Sequence, residues 1–162
     1  MTLGLDRRLL ALTGTLAAAC GAPPPDIAVA GTCALGQVPV QLEQGVASGS
    51  ADRACQRYAR ALGAYRDTFV EAWGSVALEQ EGWMLRVRSG ETIDSEGHTG
   101  MTFHHARVVD VAEASLETFP HELRHVQLGR SSDDHHGWCS SFAPWEREVL
   151  GVDERAYLGC PP

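Results

Sequence analysis

The chain has 162 residues, 44% hydrophobic and 21% charged, with a formal net charge of -8. That length and balance give one globular domain with its own core, and the negative charge argues against nucleic acid as a partner. All 13 basic residues are Arg, a compositional bias without functional weight.

The opening "MTLGLDRRLLALTGTLAAAC" has Arg7 and Arg8, an apolar run from Leu9 to Ala19 and small residues before Cys20. This is the layout of a secretory signal peptide over residues 1–19, too short to span a membrane. "LAAAC" resembles the bacterial lipobox, though the Leu usual three residues before the Cys is Ala17 here and Leu16 stands one step back. The resemblance implies lipid on Cys20, which would become the mature N-terminus. The competing reading is a plain A-x-A cleavage using Ala17 and Ala19. There are five cysteines, Cys20, Cys33, Cys55, Cys139 and Cys160. With Cys20 lipidated, four remain, enough for two disulfides in an oxidising compartment; otherwise one thiol is left over. Of the three pairings, Cys33–Cys55 and Cys139–Cys160 are expected, because each joins near neighbours in sequence. No C-x-x-C spacing exists, which disfavours a cysteine zinc site.

Residues 20–50, rich in small residues and with "GAPPPD" directly after Cys20, read as a lipidated N-terminus and flexible tether. Residues 51–162 read as the folded domain. In "ADRACQRYARALGAYRDTFVEAWG", Ala54, Tyr58, Ala61, Leu62, Tyr65, Phe69 and Trp73 recur at three- and four-residue steps, predicting an amphipathic helix with an apolar core stripe. "GWMLRVRSG" alternates as a half-buried strand. "ETIDSEGHTG" is turn-rich, and "MTFHHARVVDVA" is the next strand candidate. There His104 and His105 would face opposite sides, one packed and one solvated. After the segment around residue 121, "SSDDHHGW" reads as a loop and "APWEREVLGVDERAYLG" as a helix with Pro144 in its first turn. The class is α+β, a small mixed or antiparallel sheet with an N-terminal helix and a second helix packed on it.

That second helix carries the chemistry. In "TFPHELRHVQLG", Thr118 can cap, Pro120 fits the first turn and Gly129 is a natural stop, giving a helix of about 11 residues. At about 100° per residue, His121 and His125 fall within roughly 40° of each other, while Phe119, Leu123 and Val126 lie opposite. Two imidazoles on one face can hold a metal ion, with Glu122 on the flank as a base that does not ligate it. A catalytic zinc takes three protein ligands and keeps one position open. His136 is the preferred third, ten or so residues on, with Asp133 or Asp134 beside it to fix its tautomer. His135, Glu146, Glu148 and Glu154 compete, Glu154 the best of the glutamates.

These residues resemble the core of zincin metallopeptidases, over about residues 98–142: an edge strand, then the H-E-x-x-H helix. The later "HHGWC" is similar to the segment that supplies the third ligand in SprT-like members. The H-x-x-G-x-x-H extension and Met-turn of metzincins are absent from the sequence, as is the N-E-x-x-S-D pattern of thermolysin-type enzymes. The resemblance implies a Zn2+ cofactor held by His121, His125 and His136, a water acidified toward ~7, and Glu122 as general base. It also implies an extended substrate pairing with the edge strand between Gly100 and Ala106. The expected protein is a secreted, lipid-anchored zinc metallopeptidase of the bacterial cell envelope, monomeric, acting on a peptide or protein and touching the membrane through Cys20. The alternative is a non-catalytic zincin-fold envelope lipoprotein that serves as a binding module, and the bland third reading is a disulfide-stapled structural lipoprotein.

Overall fold

The computed structural model describes residues 23–46, 49–129 and 147–148. Its centre is a five-stranded mixed sheet, the coarse α+β architecture expected. The strands are β1 (Val29–Leu35), β2 (Val38–Glu43), β3 (Met84–Arg88), β4 (Gly100–Phe103) and β5 (Val108–Ala112), in the spatial order β1-β2-β3-β5-β4. β1 and β2 form an antiparallel hairpin, β2–β3 and β3–β5 pair in parallel, and β4 returns antiparallel along β5 as an edge.

The first hairpin corrects the tether assigned to residues 20–50. Val38, Val40 and Leu42 alternate with Pro39, Gln41 and Glu43, and the former three are at most 1% exposed. Gly36, with φ 62°, turns the chain between Leu35 and Val38. Proline usually argues against a strand. Pro39 is tolerated because it pairs only with Ala34 of β1, and the ladder to β3 starts one residue later at Val40.

The parallel step from β2 to β3 requires a crossover, which α1 (Ala51–Trp73) supplies. Of the predicted stripe, Ala54, Tyr58, Leu62 and Phe69 are buried and Ala61, Tyr65 and Trp73 half-buried, and Cys55 is buried beside them. Cys55 is bonded to Cys33 of β1, with Cα atoms 5.7 Å apart, so the expected first disulfide clamps the helix to the hairpin. Cys139 and Cys160 lie outside the described residues. A four-residue helix, α2 (Leu78–Glu81), leads into β3.

β3 is not half-buried: Leu85, Arg86, Val87 and Arg88 are all buried, because it lies between β2 and β5. Leu85 and Val87 join Val40, Leu42, Val109 and Val111 under the helices. Each such side chain contributes about 1.5–3 kcal/mol by leaving water. The opposite face carries charge. Arg86 grips Asp110 with two bonds of 2.6 and 2.7 Å, and Arg88 reaches Asp110 at 2.6 Å and Glu43 at 3.1 Å. Two cations and two carboxylates balance. That matters because a buried charge without its partner costs several kcal/mol. Arg86 also donates to the carbonyl of Pro25 at 2.9 Å, which fixes the entering chain to the sheet.

The single strand expected over "MTFHHARVVDVA" is two strands. β4 stops at Phe103, His104–Arg107 turn, and β5 starts at Val108. Arg107, at φ 55°, closes the turn and accepts from the amide of Met84 at 2.8 Å. After β5, a 3-10 turn at Leu116–Thr118 runs into α3 (Phe119–Leu128).

Candidate metal centre

The motif is helical, as predicted, and ends where expected. α3 has ten residues, Pro120 sits in its first turn, and Gly129 adopts the left-handed conformation at φ 68°. The Gly129 amide donates to the carbonyls of His125 and Val126, each at 3.1 Å, so two C-terminal acceptors are satisfied. Thr118 does not cap with its side chain. Its hydroxyl instead pairs with that of Thr99 at 3.0 Å, across to the segment that enters β4.

Phe119 and Leu123 are fully buried and Val126 is 8% exposed, so the apolar side of α3 seats on the core. This fixes the direction of the other side. The His121 and His125 rings stand with centroids 5.2 Å apart and planes at 67°. Two imidazoles sharing a tetrahedral ion at a zinc–nitrogen distance of about 2.0–2.1 Å have centroids roughly 5 Å apart. The pair therefore fits half of a four-coordinate site. His121 is buried and His125 half-buried.

Glu122 lies on the flank facing β4 and is 3% exposed. The Thr102 hydroxyl donates its one proton to Oε2 at 2.6 Å, with the Glu122 main-chain carbonyl a second acceptor at 3.2 Å. Its Oε1 packs over Gly100, where an added Cβ would come within 2.7 Å. The carboxylate thus sits between the helix and the edge strand, not in open solvent. Thr102 and Gly100 were not among the sequence candidates. The alternation of "GMTF", with positions 100 and 102 on one face, was the available signal.

The other candidates are placed differently or not described. His135, His136, Glu146 and Glu154 lie outside the described residues, and for Glu148 only an exposed backbone position is described. Among the described residues, no group of three or more His, Cys, Asp or Glu side chains comes together to hold an ion. His104 and His105 are in the turn after β4, not on a strand. His104 meets Trp83 edge-on at 5.7 Å, and His105 is exposed.

The loop before β4 is ordered by Asp94. Its carboxylate accepts from the amides of Glu96 and His98 and, at 2.6 Å, from the His98 ring. Burial pushes the Asp94 carboxyl up, but the His98 ring and these amides outweigh it and hold it below the ordinary aspartate value. Ile93 and His98 then close the loop main chain at 2.7 Å, delivering Thr99 and Gly100 to the sheet edge.

No helix among the described residues is long and apolar enough to cross a membrane. No family model matches the chain, no curated protein is significantly similar to it, and no solved structure matches it significantly.

Proposed function

We propose that the protein is a zinc metallopeptidase of zincin type, secreted and held at the cell envelope by lipid on Cys20. The observation that carries the reading is the convergence of the His121 and His125 rings, 5.2 Å apart, on a helix whose next residue places Glu122 beside an edge strand. His121 and His125 would hold the ion, with His136 as the third ligand. A bound zinc supplies the positive charge that makes a nearby water acidic at neutral pH. Glu122 takes the proton from the attacking water and returns it to the leaving amine nitrogen. Among the described residues β4 pairs only with β5, and its other edge would take an extended peptide. The Cys33–Cys55 bond supports an oxidising compartment, where a secreted protein resides.

A second reading keeps the fold and loses the chemistry: a non-catalytic zincin-fold binding module. One observation favours it. Glu122 is buried and hydrogen-bonded to a strand hydroxyl, as a structural carboxylate would be.

Zinc content and peptide cleavage of the purified chain separate the two. The peptidase reading expects about one zinc per chain, lost in His121→Ala and kept in Glu122→Gln, with cleavage abolished in both. Stoichiometric zinc without cleavage of any member of a peptide library selects the binding module. A wild type without zinc removes the metal centre altogether.

A further inference from the structure

We propose that Gly100 and Thr102 form a cradle on β4 that orients the Glu122 carboxylate for proton transfer, with Thr102 as a positioning residue; this rests on the peptidase reading above. Both residues face α3 from the same side of the strand, two apart in sequence and paired with Val111 and Val109. Thr102 is 6% exposed, and its hydroxyl touches Glu122 twice, at Oε2 and at the main-chain carbonyl. The side chain is thereby tied to its own helix as well as to the sheet. Gly100 is needed for space rather than for an unusual backbone angle. A Cβ there would lie 2.7 Å from Glu122 Oε1, 2.7 Å from Thr118 Cγ2 and 2.9 Å from Glu122 Cγ. The Thr99–Thr118 hydroxyl pair, 3.0 Å apart, ties the residue before Gly100 to the residue before α3.

The chemistry explains why a hydroxyl serves here. A general base is a carboxylate before the water is deprotonated and a carboxylic acid after it. A threonine hydroxyl both donates and accepts. It can hold the anion as a donor, and by rotating it can hold the neutral acid as an acceptor. The O–H bond of water breaks as a bond to a Glu122 oxygen forms and the water oxygen bonds to the peptide carbonyl carbon; the same proton then passes to the nitrogen as the C–N bond breaks. An amide or guanidinium donor would favour only the charged form. A glutamate also has three side-chain torsions to freeze, and the cradle freezes them before substrate arrives.

The test compares wild type, Thr102→Val and Thr102→Ser as purified zinc-loaded chains. Thr102→Val is expected to lower kcat roughly 10- to 100-fold while KM and zinc stoichiometry stay within about twofold. Thr102→Ser restores kcat to within about threefold of wild type. Gly100→Ala is expected to lower kcat with zinc retained. A readout independent of turnover is the carboxylate stretch of isotope-labelled Glu122 in the metal-free chain. It should shift in Thr102→Val and stay put in Thr102→Ser. The cradle is overturned if Thr102→Val keeps wild-type kcat, if Thr102→Ser fails to rescue, or if zinc and kcat fall together. A wild type that binds no zinc or cleaves no peptide overturns the peptidase reading and the cradle's role with it. An active wild type with an equally active Thr102→Val overturns the cradle alone.

Discussion

Glu43 shows how one carboxylate can tie three strands' worth of charge to pH. Its Oε2 accepts from Arg88 at 3.1 Å and from the Ser89 amide at 2.9 Å. Burial by itself would raise the Glu43 carboxyl, but the Ser89 amide and the Arg88 guanidinium hold it below its ordinary value near 4.5. A carboxyl lowered in the folded state stabilises the fold above its unfolded value and loses that contribution as pH falls through the native value. Urea midpoints measured against pH should therefore drop as the medium is acidified through and below 4.5. Glu43→Gln should be less stable than wild type near neutrality and show a shallower acid decline. Equal slopes would mean that Glu43 carries none of the acid sensitivity. At this scale the histidine pair was legible in the sequence, because helical periodicity alone sets its angular separation. The roles of Thr102 and Gly100 were not legible, because they come from contact with Glu122, far along the chain.

α3 works as an element because its two sides do different jobs. Leu123 is fully buried, while His121 and His125 converge about half a turn around the helix from it. Leu123→Ala should cost about 2–5 kcal/mol in urea unfolding by leaving a cavity under the helix. Zinc per folded chain should be unchanged. Zinc lost at concentrations of denaturant where the variant is still fully folded would show that core packing also sets the ligand geometry. α1 and α3 were readable from period alone, down to the Gly129 stop. β3 was read as half-buried, since a strand's second face is decided by its neighbours. The insertion of β5 between β3 and β4 put Arg86 and Arg88 inside. The β4–β5 turn was missed because "HHAR" has no Gly, Pro or Asn to announce it, and Arg107 itself takes the left-handed angle.

For the whole molecule, the N-terminal hairpin is part of the domain, which makes a sharp prediction about where the fold begins. A fragment starting at Ala51 lacks β1, β2, the Cys55 partner and Glu43 of the charge network. It should show no cooperative thermal unfolding by circular dichroism and rapid proteolysis, whereas a chain starting at residue 23 should melt cooperatively. A cooperative melt from the Ala51 fragment would restore the tether. Reach to the membrane changes too. Pro25 is already bonded to Arg86, so lipid on Cys20 would sit five Cα–Cα steps from that bond, at most about 18 Å of extended chain. An anchored domain would lie close to the membrane surface.

The sequence by itself determined the two long amphipathic helices, the facing pair of imidazoles and the Gly129 stop, all of which depend on local period or local turn chemistry. Only the tertiary structure decided that residues 29–35 and 38–43 are strands, that buried Arg86, Arg88 and Asp110 balance their charge with half-buried Glu43, and that Glu122 rests on Thr102 over Gly100. Those features depend on which strands become neighbours, and strand pairing joins residues far apart along the chain through hydrogen bonds that leave no periodic mark in either partner.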